Sequence, residues 1–306
     1  MSSVHIVDDV PEFTPRHDFP LVVALEGFLD AGHAASLAAR HINRAESAPV
    51  VASFDADEFH DYRSRRPLVT FSRDRYTDYA APRLVVRLAR DDDDRPFLLM
   101  TGHEPDMRWE VFARGVRRIV ERFDVGHVLT LDAVPMTTPH TRALPVTQHT
   151  NNPDRRARPN LWDSDLRVPA SAQAMLAVRL GEWGHDLSGH VVHVPHYLAE
   201  FDNPAAAREL VQGIQGSTDL VFDVGDLDEA VRQHDARVAE HIAENPDIGT
   251  LVEGLERQYD TFRAAESSGQ NLLAEGRELP TGEELGAEFE RFLADLDGPD
   301  SSKDGN

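Results

Sequence analysis

Four short segments concentrate the side chains that could do chemistry. Glu26 and Asp30 bound the turn EGFLD, and His103, Glu104, Asp106 and Arg108 crowd into HEPDMR. Asp132 opens a stretch that carries His140 and Arg142, and His193 and His196 stand either side of Val-Pro. Together they offer carboxylates, imidazoles and guanidiniums, the groups from which an acid–base pair, a metal site or an anion cradle is built. A fifth segment, DYRSRRP, sets Asp61 beside Arg63 and Arg66. Its forked arginine hydrogen bonds could grip an anion or a neighbouring subunit; equally, it could be a solvated loop with local ion pairs of little energetic worth.

Spacing narrows the list. His193 and His196 are separated by a proline, so they do not share a helical face as metal-binding pairs do. Gly27 and Gly32 alone do not make the GxGxxG of a dinucleotide site. No GxSxG elbow supports a hydrolase serine. The run Asp91–Asp94 lacks the alternating ligands and glycine bend of a calcium loop. No metal and no cofactor is expected.

The elements that would carry these segments are legible as short apolar runs. Leu21–Leu25, Pro49–Phe54, Leu84–Ala89, Phe97–Thr101, His127–Leu131 and His190–Val194 read as buried strands bounded by turn residues. Ala31–Ile42 reads as an alanine-rich helix capped by Asp30, and Trp109, Phe112, Val116, Ile119, Val120 and Phe123 recur at helical spacing. Ala170–Trp183 and Pro204–Ile214 are further helices. Met1–Asp18 reads as an arm with an edge strand, and Asn151–Pro169 as a long excursion or oligomer contact. In an open α/β sheet the parallel strands end at one edge, where ligands bind. The four chemistry-bearing segments all follow strands, so they are expected to meet at a common crevice.

The expected organisation is an α/β core over 1–225, a helical hairpin over 226–265, and an acidic linker, a short helix (Thr281–Leu296) and a disordered tail over 266–306. The net charge of −23 argues against nucleic acid. The excess is uneven: from Asp226 onward 21 acidic residues face 7 basic ones, a net of −14. No apolar run approaches the roughly 20 residues of a membrane span, and MSSVHIVDDVPEF lacks a signal-peptide core, so cytoplasmic residence is expected. There are no cysteines, which excludes disulfides, thiolate zinc and cysteine nucleophiles. Lys303 is the only lysine, which excludes a Schiff-base or phosphate lysine from the folded part.

Five motifs occur in order: EGFLDAG (Glu26–Gly32), DYRSRRP (Asp61–Pro67), GHEPDMRW (Gly102–Trp109), PHTR (Pro139–Arg142) and HVPHYLA (His193–Ala199). Over roughly residues 20–265 the chain resembles the proteasome assembly chaperone 2 family in its actinobacterial branch. The resemblance implies a Rossmann-like three-layer sandwich of the phosphorylase/hydrolase type, a homo-oligomer of trimeric kind, and proteasome subunits as partners. Some members carry an ATP-grasp label, for which this chain has neither a glycine-rich loop nor a phosphate lysine. Certain archaeal relatives dock through a hydrophobic-tyrosine-any residue tail; Lys303-Asp-Gly-Asn306 is not one, so docking of that kind is not expected. The leading expectation is a non-catalytic oligomeric scaffold or assembly chaperone. The alternative is a small-molecule binder or hydrolase/phosphorylase-like enzyme holding a phosphate- or nucleoside-like ligand at the strand ends.

Overall fold

The computed structural model describes residues 3–8, 10, 18–43, 48–155 and 165–267. In chain order the elements are β1 (Val4–Ile6), β2 (Pro20–Glu26), α1 (Ala34–Ile42), β3 (Val50–Phe54), α2 (Ala56–Phe59), β4 (Thr70–Ser72), β5 (Arg75–Thr77), β6 (Leu84–Arg90), β7 (Pro96–His103), α3 (Trp109–Arg122), β8 (His127–Met136), β9 (Val146–Thr150), α4 (Ala172–Glu182), β10 (Leu187–Pro195), α5 (Pro204–Ser217), α6 (Gly225–Glu244) and α7 (Pro246–Ser267). The expected linker, short helix and tail beyond residue 267 lie outside the described residues.

Eight strands form one mixed sheet in the order β1-β3-β6-β7-β2-β8-β10-β9. β2 is parallel to β7 and β8, and β8 is parallel to β10, so these four strands end together at Glu26, His103, Met136 and Pro195. β3 is antiparallel to β6, which is antiparallel to β7; β3 therefore points the same way and delivers the DYRSRRP loop to that edge. Helices cover both faces. One core joins α3 and α4 to the sheet through Phe112, Val116, Ile119 and Leu176, and the other joins α1 and α5 through Ala35, Ala38, Leu210 and Ile214. This is the Rossmann-like three-layer sandwich that the family resemblance implied.

Local chemistry explains the fit. Ala34, Ala35, Ala38 and Ala39 are buried, so α1 lies close on the sheet without large side chains to hold it off. Gly115 lets α3 approach Phe54, whose ring would lie 2.6 Å from a Cβ there. The Phe54, Phe59 and Phe112 rings pack at 5.3–6.4 Å, each such ring contributing about 1.5–3 kcal/mol by burial. Ser171 and Asn203 cap α4 and α5 by accepting from Ala174 N and Ala206 N. After the break at Asn245, α7 begins at Pro246, and Ile242 lies 3.7 Å from the position a Cβ on Gly249 would take. Contacts divide the chain into Met1–Glu256 and Arg257–Asn306, a boundary inside α7.

One expectation about the elements needs correction. The strand read as ending at Leu131 continues to Met136, because β8 lies between β2 and β10 and pairs with β10 through Pro195↔Met136. Asp132 is thus part of the central sheet rather than the start of a loop. β9 has no counterpart among the apolar runs of the sequence. It is an edge strand held to β10 by backbone pairing, with half-buried side chains that leave no apolar alternation to detect.

Candidate functional site

The strand-end loops touch one another along the edge. Glu104 N–H donates to Glu26 O at 2.8 Å, and Ala133 N–H donates to Leu29 O at 2.8 Å. Gly32 N–H donates to Ala199 O at 2.6 Å. Their side chains fall into three groups, the first two joined by Arg65.

The first group lines a cleft of about 650 Å³ that includes Glu26, Asp30 and His103, together with His33, Arg40, Arg65, Glu200 and Asp202. His103 Nδ1 lies 3.2 Å from Glu26 Oε2, a half-exposed pair that solvent screens. His33 Nδ1 meets Asp202 Oδ1 at 2.9 Å. Asp30 is buried and accepts from Ala35 N–H at 2.8 Å, from Ser36 N–H, and from the Ser36 hydroxyl. Burial raises its pKa, against the lowering effect of those donors. Asp30 therefore caps α1 across the turn in which Gly32 takes φ 64°. Ser36, the hydroxyl that lines the cleft, is occupied as its donor.

The second group forms the rim between β3 and β7. Arg65 pairs with Asp106 and donates to Glu104 O at 2.9 Å, while Asp61 N–H donates to Asp106 Oδ2 at 2.8 Å. Burial opposes ionisation of Asp106, but the Asp61 N–H and the Arg65 guanidinium hold its pKa below the usual value. Arg108 Nη1 lies 2.8 Å from Glu58 Oε2. Glu104 is a bracket: one oxygen accepts from Phe28 N–H at 3.1 Å and the other from Ala172 N–H at 2.6 Å, tying the β2 loop to the start of α4. Asp61 Oδ1 accepts from Arg63 N–H at 2.9 Å, and the Arg63 and Arg66 side chains point outward, exposed. His60, which was not singled out from the sequence, is buried beside Asp106 at 3.9 Å, and burial lowers its pKa.

The third group surrounds Tyr197. Its hydroxyl accepts from His140 N–H at 2.9 Å and bonds His140 Nδ1 at 2.7 Å. Burial drives the Tyr197 pKa up to about 12 and lowers that of His140. His196 reaches Met136 O at 3.4 Å, and Arg142 pairs with Glu256 at 3.2 Å. Two expected site residues lie away from all three groups. His193 is buried on β10 and bonds Thr147 Oγ1 of β9 at 2.9 Å; burial lowers its pKa. Asp132 is buried under α4, accepting from Gln173 Nε2 at 2.5 Å, and its pKa is raised to about 7, first by burial and further by the charges of Glu104 and Asp30.

Tyr197, Gln173 and Glu256 were not singled out. Tyr197 sits within a quoted motif, but Gln173 and Glu256 are distant in sequence and carry no local signal. Among the described residues no cluster of His, Asp or Glu could hold a metal ion, and no helix is long and apolar enough to cross a membrane. Beside these charged groups the edge also exposes large apolar side chains: Phe28 is 60%, Met107 42% and Phe201 65% accessible.

Comparison with known proteins places this geometry. Residues 24–242 match the family model described as the PAC2 family. A Mycobacterium tuberculosis protein of unknown function is 39% identical, with 87% of this chain and 92% of that chain covered and a TM-score of 0.82. A Mycobacterium tuberculosis proteasome-assembly chaperone homologue is 26% identical over 76% of this chain and 100% of that one, with a TM-score of 0.70. An archaeal proteasome activator from Pyrococcus furiosus shares the fold at 16% identity over 78% of this chain and 99% of that one, with a TM-score of 0.59. No protein of curated function matches the chain.

Proposed function

The chain belongs to the PAC2 family, and from that premise we propose that it is a non-catalytic assembly chaperone that engages proteasome subunits through its strand-end edge. The carrying observation is the exposure of Phe28, Met107 and Phe201 on the loops of that edge. Large apolar side chains beside a cleft are the anchors around which protein interfaces form. The polar groups of the same edge hold the loops to one another: Arg65 with Asp106, Glu104 with two backbone N–H groups, and His140 with Tyr197. That arrangement stiffens a surface. The Mycobacterium tuberculosis relative described as a proteasome-assembly chaperone homologue supports the choice of partner.

The test is direct binding. Purified chain mixed with isolated proteasome α-subunits of its own cell should form a stoichiometric complex by native mass spectrometry. Phe28→Ala combined with Phe201→Ala should weaken that complex at least tenfold, the scale on which interface anchors act. Failure of any proteasome subunit to bind, or unchanged binding by the double variant, would sink the proposal.

A further inference from the structure

The cleft at the strand ends carries two charged side chains that the fold leaves unused. Glu26 is paired with His103, Asp202 with His33 and Arg65 with Asp106, while Asp30 is taken up by Ser36 and the first turn of α1. Arg40 and Glu200 line the same cleft and are exposed, and no described residue pairs with either side chain. What stays open is one guanidinium and one carboxylate on a single cleft of about 650 Å³.

The elements that carry these two groups set them apart. His33, the N-cap of α1, is followed by Ser36 and Arg40 at i+3 and i+7, the spacing of one helical face. Arg40 therefore stands two turns from His33, about 10 Å along the axis. The 199–203 turn is bound at the His33 end: Gly32 N–H donates to Ala199 O, Asn203 N–H donates to Gly32 O at 2.8 Å, and Asp202 pairs with His33. Glu200 thus belongs to one end of the cleft and Arg40 to the other.

Charge balance sets the class of ligand. The lining carboxylates Glu26, Asp30, Glu200 and Asp202 outnumber the guanidiniums of Arg40 and Arg65, and the chain as a whole is −23. A simple anion drawn to Arg40 would approach against that field. A simple cation held by Glu200 would leave Arg40 unanswered. A ligand with both an ammonium and a carboxylate answers both groups and carries no net charge. A single amino acid holds its two charges too close together to span the cleft. An extended peptide gains roughly 3.3–3.6 Å per residue, so two or three residues reach across.

The geometry points to a site for a free peptide of two or three residues, its amino end on Glu200 and its carboxylate on Arg40. The forked donors of an arginine match a carboxylate, and the exposed Phe28 ring on the same cleft offers a face to a peptide side chain. The cleft volume falls within the roughly 300–1,000 Å³ of small-ligand sites. This site goes beyond the proteasome reading and stands without it; Phe28 alone is common to the two surfaces.

Blocked peptides separate the two contacts. Full-length chain is titrated in a calorimeter with trialanine and Ala-Phe-Ala, with the N-acetylated and C-amidated forms of each, and with inorganic phosphate. A free tripeptide should bind at millimolar concentration or below, and blocking either end should weaken binding at least tenfold, because a charge-assisted hydrogen bond is lost. Arg40→Gln should bind free and amidated peptide alike, and Glu200→Gln should bind free and acetylated peptide alike. Both variants should keep wild-type circular dichroism and Tm without peptide, since both side chains are exposed. No binding of either free peptide, a wild type indifferent to the blocked ends, variants that keep the discrimination, or phosphate bound as tightly as peptide would each overturn the proposal.

Discussion

Asp132 offers the sharpest test of the packing described above. It sits in a central strand beneath α4, its carboxyl accepting from Gln173 Nε2 at 2.5 Å, and its pKa is raised from 3.8 to about 7, chiefly by burial. A carboxyl whose pKa rises on folding binds its proton more tightly in the folded chain. Ionisation therefore opposes folding, with no penalty below pH 3.8 and the full penalty above about pH 7. At 1.36 kcal/mol per pH unit the gap amounts to about 4 kcal/mol at pH 8, of which roughly 2.5 kcal/mol accrues between pH 5 and pH 8. Asp132→Asn keeps an acceptor for Gln173 and removes the ionisation. Urea unfolding of wild type and variant at half-unit steps from pH 5 to 8 should show the variant gaining relative stability steadily with pH. A stability difference that is flat across that range would refute the assignment of a desolvated carboxyl at this position.

The buried histidines should act with the opposite sign. Burial lowers His190 from 6.5 to about 4, so its contribution is whole above pH 6.5 and is lost as pH falls toward 4; His190→Gln should remove about 2 kcal/mol of the wild-type stability loss between pH 7 and pH 5, read from the same urea curves. Gly102 takes φ 132°, and a Cβ there would run into the Arg83 carbonyl, so Gly102→Ala should lose more than about 3 kcal/mol or fail to fold. Gly254, inside α7 with nothing near its Cβ position, should instead gain about 0.5–1 kcal/mol as alanine, visible as a higher Tm. Tyr197→Phe removes the acceptor for His140 N–H and should cost about 1 kcal/mol in thermal melts.

Much of the sheet was legible because burial writes itself locally. β2, β7, β8 and β10 are short apolar runs, and their shared direction follows from the helices between them. What was not legible depended on partners far along the chain. Asp132 looked like the start of a polar loop because the group that satisfies it, Gln173, lies 41 residues on. His193 looked like a site residue because its partner, Thr147, sits on a strand with no apolar pattern. Glu104 was singled out as a cleft or interface residue, and its role as a bracket between Phe28 and Ala172 needs both distant backbones to be in place. The β4–β5 hairpin escaped notice because no core demands it: its aromatic residues face water, where periodicity carries no signal.

The pairing of charges along the strand-end edge bears on which kind of partner it suits. An anionic ligand in the cleft would draw Arg65 from Asp106, His33 from Asp202 or His103 from Glu26, or meet the exposed Arg40. Each of those three exchanges trades one ion pair for another, and partly exposed pairs are worth only about 0–1 kcal/mol, so the three paired groups offer such a ligand little net gain. Phe28, Met107 and Phe201 have no comparable competitor, because water is what now covers them. Burying what each still exposes would contribute about 1–2 kcal/mol, together roughly 3–5 kcal/mol. Association itself costs about 4 kcal/mol or more. The edge alone therefore supports a weak contact, of the kind an assembly chaperone needs if it is to release the subunit it has positioned.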